Sequence, residues 1–183
     1  ALVSNELSPA RFAAAIATHE ARSRLADEMV ARYREVGAEG LVLDSRSVPD
    51  GGHVNFVKFL YAVRQAVQRA RGEIAVLVAR DLPANRLREL SRPADFVVLN
   101  LFKDSGDSAS AAAPAAQGWF EAELARHFKL VDPRKLIVGI GALALEWDDV
   151  GNTRRLSVQA AWDLAREHGA TVELDPASLN PTF

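Results

Sequence analysis

Residues 40–50 read GLVLDSRSVPD, and the fold turns on how that stretch is taken. Gly40 to Leu43 form a short apolar run that ends on an acid, Asp44, and passes at once into a loop containing Arg46 and Pro49. A continuous apolar run of this kind reads as a parallel strand buried on both faces, not as a strand with one wet side. The C-terminal end of such a strand is where an α/β barrel carries its chemistry.

Similar runs recur on either side: EIAVLVA (73–79), DFVVLNLF (95–102), KLIVGIGALAL (135–145) and ATVELD (170–175), with ALVSN (1–5) as a sixth candidate. Between them lie amphipathic stretches. SPARFAAAIATHEARSRLADEMVARYREVG (8–37) opens with Ser8 and Pro9 as a helix start and closes on Gly37, with a break expected near Arg22–Ser23. NFVKFLYAVRQAVQRARG (55–72) places Phe56, Phe59, Leu60, Val63 and Val67 on one face and stops at Gly72. NRLRELSR (85–92), QGWFEAELARHFKL (117–130) and SVQAAWDLAREHG (157–169) read as helices, with Trp119, Phe120, Leu124 and Phe128 turned inward in the second. Strand–helix alternation predicts an α/β fold with right-handed crossovers, as a doubly wound sheet or a barrel. DSGDSASAAAPAAQG (104–118) reads as a long surface loop.

Composition narrows the function. The 183 residues suit one domain, expected over 1–183, and 22 basic against 24 acidic residues give a net charge of −2, so no attraction to nucleic acid or to a membrane surface is expected. There is no cysteine, which removes disulfides, thiolate metal sites and cysteine nucleophiles. No apolar run nears the roughly 18 residues of a bilayer span, and the first residues show no signal-peptide pattern.

Of the four histidines, His19, His127 and His168 are expected on polar helix faces and His53 in the loop beyond Asp44. None makes a helical metal pair, and no metal is expected. GIGALA (139–144) matches G-x-G-x-x-A, but it runs on into LEWDDVGN, a turn-like stretch, instead of a helix. Gly139 and Gly141 are therefore read as relieving crowding, and no cofactor is expected.

The strand ends hold the richer set: Asp44 and Arg46; Arg80 and Asp81; Asn100, Phe102, Lys103 and Asp104; Glu146 and Trp147; and Asp175. Polar residues end strands in every α/β fold. Trp147 beside acids goes further, because an aromatic platform with polar neighbours suits a sugar ring.

Four segments carry a resemblance to a known family: VGAEGLVLDSRSVP with NFVKFLYAVRQAV, ADFVVLNLFKD, APAAQGWFEAEL with VDPRKLIVGIGALALEW, and VELDPASLNPTF. In this order they resemble glycoside hydrolase family 18, the chitinase-like barrels. They look closest to those fused to polysaccharide deacetylase and family 2 glycosyltransferase modules in bacteria. The resemblance implies a TIM-barrel-like (β/α) domain. With five to six of eight strands present, it implies either an open, partial barrel or further strands elsewhere in a longer chain.

It also implies where the chemistry would sit. The D-x-x-D-x-D-x-E motif falls on Glu39, Val42, Asp44 and Arg46, so Arg46 stands where the family's general acid does. Met, Tyr and Asp of M-x-Y-D fall on Asn100, Phe102 and Lys103. A guanidinium, with a pKa above about 12, cannot cycle a proton. The reading is a catalytically inactive domain that binds a glycan or scaffolds polysaccharide synthesis or modification. It would lie outside the cytoplasm, in the periplasm or at the cell surface, beside a deacetylase or glycosyltransferase module. The binding set is Asp44, Arg46, Asn100, Phe102, Lys103, Asp104, Glu146 and Trp147. Arg46 and Lys103 replace acids by cations, which suggests either an anionic ligand or pairs Arg46–Asp44 and Lys103–Asp104 that close the mouth. A structural domain without ligand, and an enzyme whose acid has moved to Glu146 or Asp104, are the rival readings.

Overall fold

The computed structural model describes residues 2–3, 9–103, 113–148, 150 and 152–183. The chain divides into two compact units, Ala1–Leu99 with Lys129–Ile137 and Asn100–Phe128 with Val138–Phe183.

The first unit contains β1 (Leu2–Val3), α1 (Pro9–Ala15), α2 (His19–Glu35), β2 (Gly40–Asp44), α3 (His53–Arg69), β3 (Glu73–Val78), α4 (Ala84–Ser91) and nearly all of β4 (Phe96–Asn100). The sheet runs in the order β1-β2-β3-β4 and continues into β5 (Leu136–Gly139). The pairings from β1 to β4 are parallel, with Val3 opposite Leu43, Asp44 opposite Leu77, and Val78 opposite Leu99. β3 is buried from Ile74 to Val78 on both faces, as its unbroken apolar run requires.

α3 buries Phe56, Phe59, Leu60, Val63, Ala66 and Val67, the face its spacing predicts. Phe12 of α1 meets Phe56 and Phe59 at ring-centroid distances of 6.1 Å each, one contact tilted and one edge-on. Lys135 donates through Nζ to the carbonyls of Ala94 (2.9 Å) and Ser91 (3.3 Å), satisfying backbone acceptors at and beyond the end of α4.

The first long helix breaks earlier than expected. α1 stops at Ala15, and α2 begins after Thr18, whose Oγ1 accepts from the Ala21 N–H at 3.1 Å. Arg22, expected at the break, lies inside α2. Its guanidinium is buried and donates to the carbonyls of Ile16 (2.8 Å) and Ala17 (3.0 Å), so the side chain satisfies acceptors that the break leaves open.

Gly37 ends α2 with φ of 68°, the left-handed stop its sequence position predicts. At the end of α3 the roles differ. Arg71 takes the left-handed conformation (φ 59°), while Gly72 serves a close approach. A Cβ on Gly72 would lie 2.5 Å from the Tyr33 hydroxyl and 2.8 Å from the Glu39 carbonyl oxygen.

The second unit carries α5 (Gln117–Phe128), β6 (Leu143–Trp147), β7 (Thr153–Ser157), α6 (Val158–Glu167), β8 (Glu173–Leu174) and β9 (Pro181–Thr182). The run 135–145 is therefore two strands. β5 ends at Gly139, and β6 pairs antiparallel with β7, Leu143 opposite Ser157 and Trp147 opposite Thr153. Ser157 caps α6 by accepting from the Ala160 N–H at 3.1 Å. The expected last strand shrinks to Glu173–Leu174, paired with β9 and exposed, Leu174 at 64%. Asp175 ends it, because its carboxylate accepts from the Ser178 N–H at 2.8 Å and folds the chain into a turn. Phe128, expected inward, is 45% exposed.

Tyr33 Oη is buried without a hydrogen-bond partner among the described residues. Tyr33→Phe is expected to hold or raise the urea midpoint, since it removes a buried polar atom with no partner. Gly72→Ala is expected to lose about 1–3 kcal/mol by overpacking. In the double variant the two effects should couple, and strict additivity in the cycle would contradict this packing.

Candidate functional site

β2 delivers Asp44 to the end of the sheet, where the residue is 8% exposed. Ser45 anchors the turn that follows. Its backbone N–H (2.9 Å) and its hydroxyl (2.8 Å) both donate to the Leu77 carbonyl of β3. Arg46 then folds back on the acid. Its Nε donates to Oδ1 at 2.9 Å and its Nη2 to Oδ2 at 2.7 Å, while its backbone N–H donates to Oδ1 at 3.0 Å. Both carboxylate oxygens are thus occupied by one residue. Burial pushes the Asp44 carboxyl up, but the Arg46 side-chain and backbone hydrogen bonds and its charge outweigh that and hold the group below the usual carboxylate range. Hydrogen bonding to Asp44 raises Arg46 in turn. Of the two roles open to Arg46, the geometry shows the paired one.

This fork is encoded locally. Asp132-Pro133-Arg134 forms the same arrangement, with the Arg134 N–H on Oδ1 at 3.0 Å, Nε on Oδ1 at 3.1 Å and Nη2 on Oδ2 at 2.7 Å. There the hydrogen bonds from Arg134 hold the exposed Asp132 at about 2.

Beside Arg46 opens a cleft of about 490 Å³ within the first unit, between the loops 45–50 and 79–86. Arg86, in the first turn of α4, forms an ion pair with Asp50 across it. His53 Nε2 meets Glu89 Oε2 at 2.8 Å nearby and ties the start of α3 to α4. Asp81, at the cleft, has no hydrogen-bond or ion-pair partner among the described residues.

In the second unit, Asn100 Oδ1 abuts Gly139 so closely that no Cβ could be accommodated, and the Phe102 ring would lie 2.7 Å from a Cβ on Gly141. The two glycines thus serve crowding, as the sequence suggests, and the chain enters β6 with no helix between. Lys103 Nζ stands 5.0 Å from the centroid of the Trp119 ring, a cation–π contact, and its backbone N–H donates to the Pro114 carbonyl at 2.7 Å. Asp104 lies outside the described residues. Glu146 faces Arg154 across the β6–β7 hairpin and is ion-paired with it. Trp147 is half-buried, and its indole N–H is sealed from water without an acceptor among the described residues.

Sequence reasoning passed over Asp50 and Arg86, because an acid at a loop end and an arginine in a short helix carry no signal until the fold joins them. His127 is a correction. Expected on a wet face, it is 1% exposed and donates through Nδ1 to the Glu123 carbonyl at 2.8 Å. Among the described residues no group of three or more His, Asp or Glu could hold a metal ion, and no helix is long and apolar enough to cross a membrane.

No protein-family model and no curated protein matches the sequence. Solved structures match the fold. The spore cortex-lytic enzyme SleL of Bacillus cereus superposes with a TM-score of 0.88 at 16% identity, over 100% of this chain and 46% of that one. The chitinase of Chromobacterium violaceum ATCC 12472 gives 0.81 at 23% identity, over 97% of this chain and 60% of that one. A class V chitinase variant of Nicotiana tobaccum in complex with NAG4 gives 0.79 at 16%, over 97% and 64%.

The fold is therefore α/β and TIM-barrel-like, with a five-stranded sheet and similarity to the solved chitinase-like structures. The chain spans between 46% and 65% of the first structures it matches.

Arg46→Ala is expected to cost about 1–3 kcal/mol at neutral pH by leaving the Asp44 carboxylate without its donors. A depressed carboxyl adds stability that is full above its unfolded value, about 3.9, and is lost as pH falls through the folded one. In the variant, burial alone remains and acts in the opposite sense. The stability gap between the two proteins should shrink from about pH 6 to pH 3, followed by urea midpoints. A constant gap would show that the fork does not carry it.

Proposed function

We propose that residues 1–183 form a chitinase-like domain that binds a glycan and has lost glycosidic-bond cleavage, with Arg46 standing at the position of the general acid. The carrying observation is the Asp44–Arg46 fork. Cleavage needs a group that donates a proton to the departing oxygen and recovers it. Arg46 stays charged at every working pH and occupies both oxygens of the one acid at that strand end. Of the two alternative acids, Glu146 is ion-paired with Arg154, and Asp104 lies outside the described residues.

Three points support a carbohydrate ligand. A fold neighbour was solved in complex with NAG4. Trp147 is half-buried and offers part of its ring for a sugar face. The cleft beside Arg46, about 490 Å³, is of small-molecule size and lined by amide, carboxylate and guanidinium groups. An anion-selective mouth is not favoured, because Arg46 is spent on Asp44 and Lys103 lies over Trp119. Asn100 and Phe102 are the second unit's own candidates in this proposal, beside Gly139 and Gly141. The setting is extracytoplasmic, beside a deacetylase or glycosyltransferase module in polysaccharide synthesis or modification, and it rests on the sequence resemblance.

A second reading, a docking domain without ligand, is favoured by the exposed Ile140, Val150, Trp162 and Phe183 of the second unit. Titration with N-acetylglucosamine oligomers, followed by product analysis, separates the two. Saturable binding without product, weakened in Arg46→Ala, is the expected result. Released product overturns the loss of cleavage, and no binding to any glycan leaves the docking domain.

A further inference from the structure

The turn that closes the β8–β9 hairpin holds a leucine where the backbone favours glycine. Leu179 has a φ of 56°, in the left-handed region that a bulky side chain occupies only under strain. Hydrogen bonds fix it there. The Leu179 N–H donates to the Asp175 carbonyl at 2.7 Å, the Ser178 N–H to the Asp175 carboxylate at 2.8 Å, and Asn180 Nδ2 to the Ser178 carbonyl at 2.9 Å. Two more bonds tie the turn to the start of α5, from the Gln117 N–H to the Ser178 carbonyl at 2.9 Å and from Asn180 Nδ2 to the Ala115 carbonyl at 3.1 Å. Yet the side chain held in this way is 55% exposed. Strain and wetted apolar surface fall on one residue, and a contact made outside the described residues would offset both.

The rest of the hairpin says what makes that contact. Leu174 and Pro181, directly opposite on one face, are exposed as well. Two strands alone make a marginal sheet. β9 is closed to a third strand by Pro181, which has no N–H to donate, whereas β8 carries no such block. Glu173 of β8 is exposed without an ion pair among the described residues, and the stretch 169–183 holds two acids and no base. We infer that β8 takes an extended, basic segment of a protein partner as a third strand. The segment's apolar residues cover Leu174 and Leu179, and its lysines or arginines meet Glu173. An acidic segment, or an anionic membrane, would meet like charge. The inference is independent of whether the first unit binds a glycan.

The test uses the chain and its Leu179→Gly, Leu179→Asn and Glu173→Gln variants. Fluorescence anisotropy follows a short peptide of alternating lysine and valine, its glutamate–valine counterpart, and the lysine peptide with proline at its centre. Vesicles of phosphatidylcholine and phosphatidylglycerol form a separate arm. The lysine peptide should bind saturably, and the other two about tenfold more weakly or less. Leu179→Gly and Leu179→Asn should each weaken it about tenfold while the urea midpoint holds or rises, because both residues accept the left-handed turn. Glu173→Gln should weaken it about three-fold, a loss that fades between about 20 and about 200 mM salt. Unchanged affinity in both Leu179 variants overturns the assignment, since the leucine then faces no partner. A fall in their urea midpoints overturns it too, since the leucine then serves the fold. Equal binding of the proline or the glutamate peptide removes the added strand or its basic charge. Vesicle binding without peptide binding gives the face to a membrane instead, and binding of none overturns the inference outright.

Discussion

A carboxylate withdrawn from water at the end of a buried strand is costly unless its oxygens are filled, and at Asp44 the filling arrives only two residues later. That constraint orders the neighbourhood. Ser45 must turn the chain at once, which it does by placing two donors on the Leu77 carbonyl. The turn brings Arg46 back over the strand end and sends the chain on to Asp50, where Arg86 meets it. The walls of the cleft follow from these pairings. A glycosidase acid must be free to change protonation, whereas this acid is stabilised in its ionised form by a group that cannot lose its proton. Burial and chemistry make opposite demands on one position, and here burial has been met.

Where one kind of side chain settled the outcome, the fold was legible. Unbroken apolar runs announced β2, β3 and β4, and the faces of Phe56 to Val67 announced α3, because burial, complete on both faces in β3 and fuller on one face in β2 and β4, leaves few other choices. Legibility failed where two needs met in neighbouring residues. At 71–72 the glycine looked like the helix stop. Close packing against Tyr33 claims it instead, and Arg71 takes the left-handed turn. At 135–145 one apolar run conceals a change from a parallel strand to an antiparallel hairpin. The run of arginines in Thr153–Ser157 hides the partner strand, since its pairing rests on backbone and on Glu146–Arg154.

The site was legible in part for the same reason. Asp44 and Arg46 lie two residues apart, so their relation is a local matter that sequence displays. The Asp50–Arg86 pair bridges a loop and a helix 36 residues apart and exists only once β3 and α4 are in place. Asp81 was visible as a strand-end acid, but its significance is comparative. Arg46 and Arg86 beside it are matched while it has no partner among the described residues, and that balance can be drawn up only with partners assigned. His127 shows the converse. A polar residue among polar neighbours looked wet, yet hydrogen bonds to the carbonyl one turn back and from Arg126 to the other ring nitrogen let it be buried.

The recurrence of the fork at Asp132–Arg134, far along the chain and in an unrelated turn, means that the three-residue unit Asp-x-Arg brings its own counter-ion wherever the backbone bends there. Such a unit is electrostatically self-contained. Its carboxylate takes its charged donors from within the unit, so the rest of the wall need supply no counter-ion to that acid. Loops around such a strand end are then free to diverge in shape and charge without unbalancing that carboxylate. The residue two places beyond a strand-end aspartate thus sets, through its own charge, how far that aspartate depends on the rest of the wall.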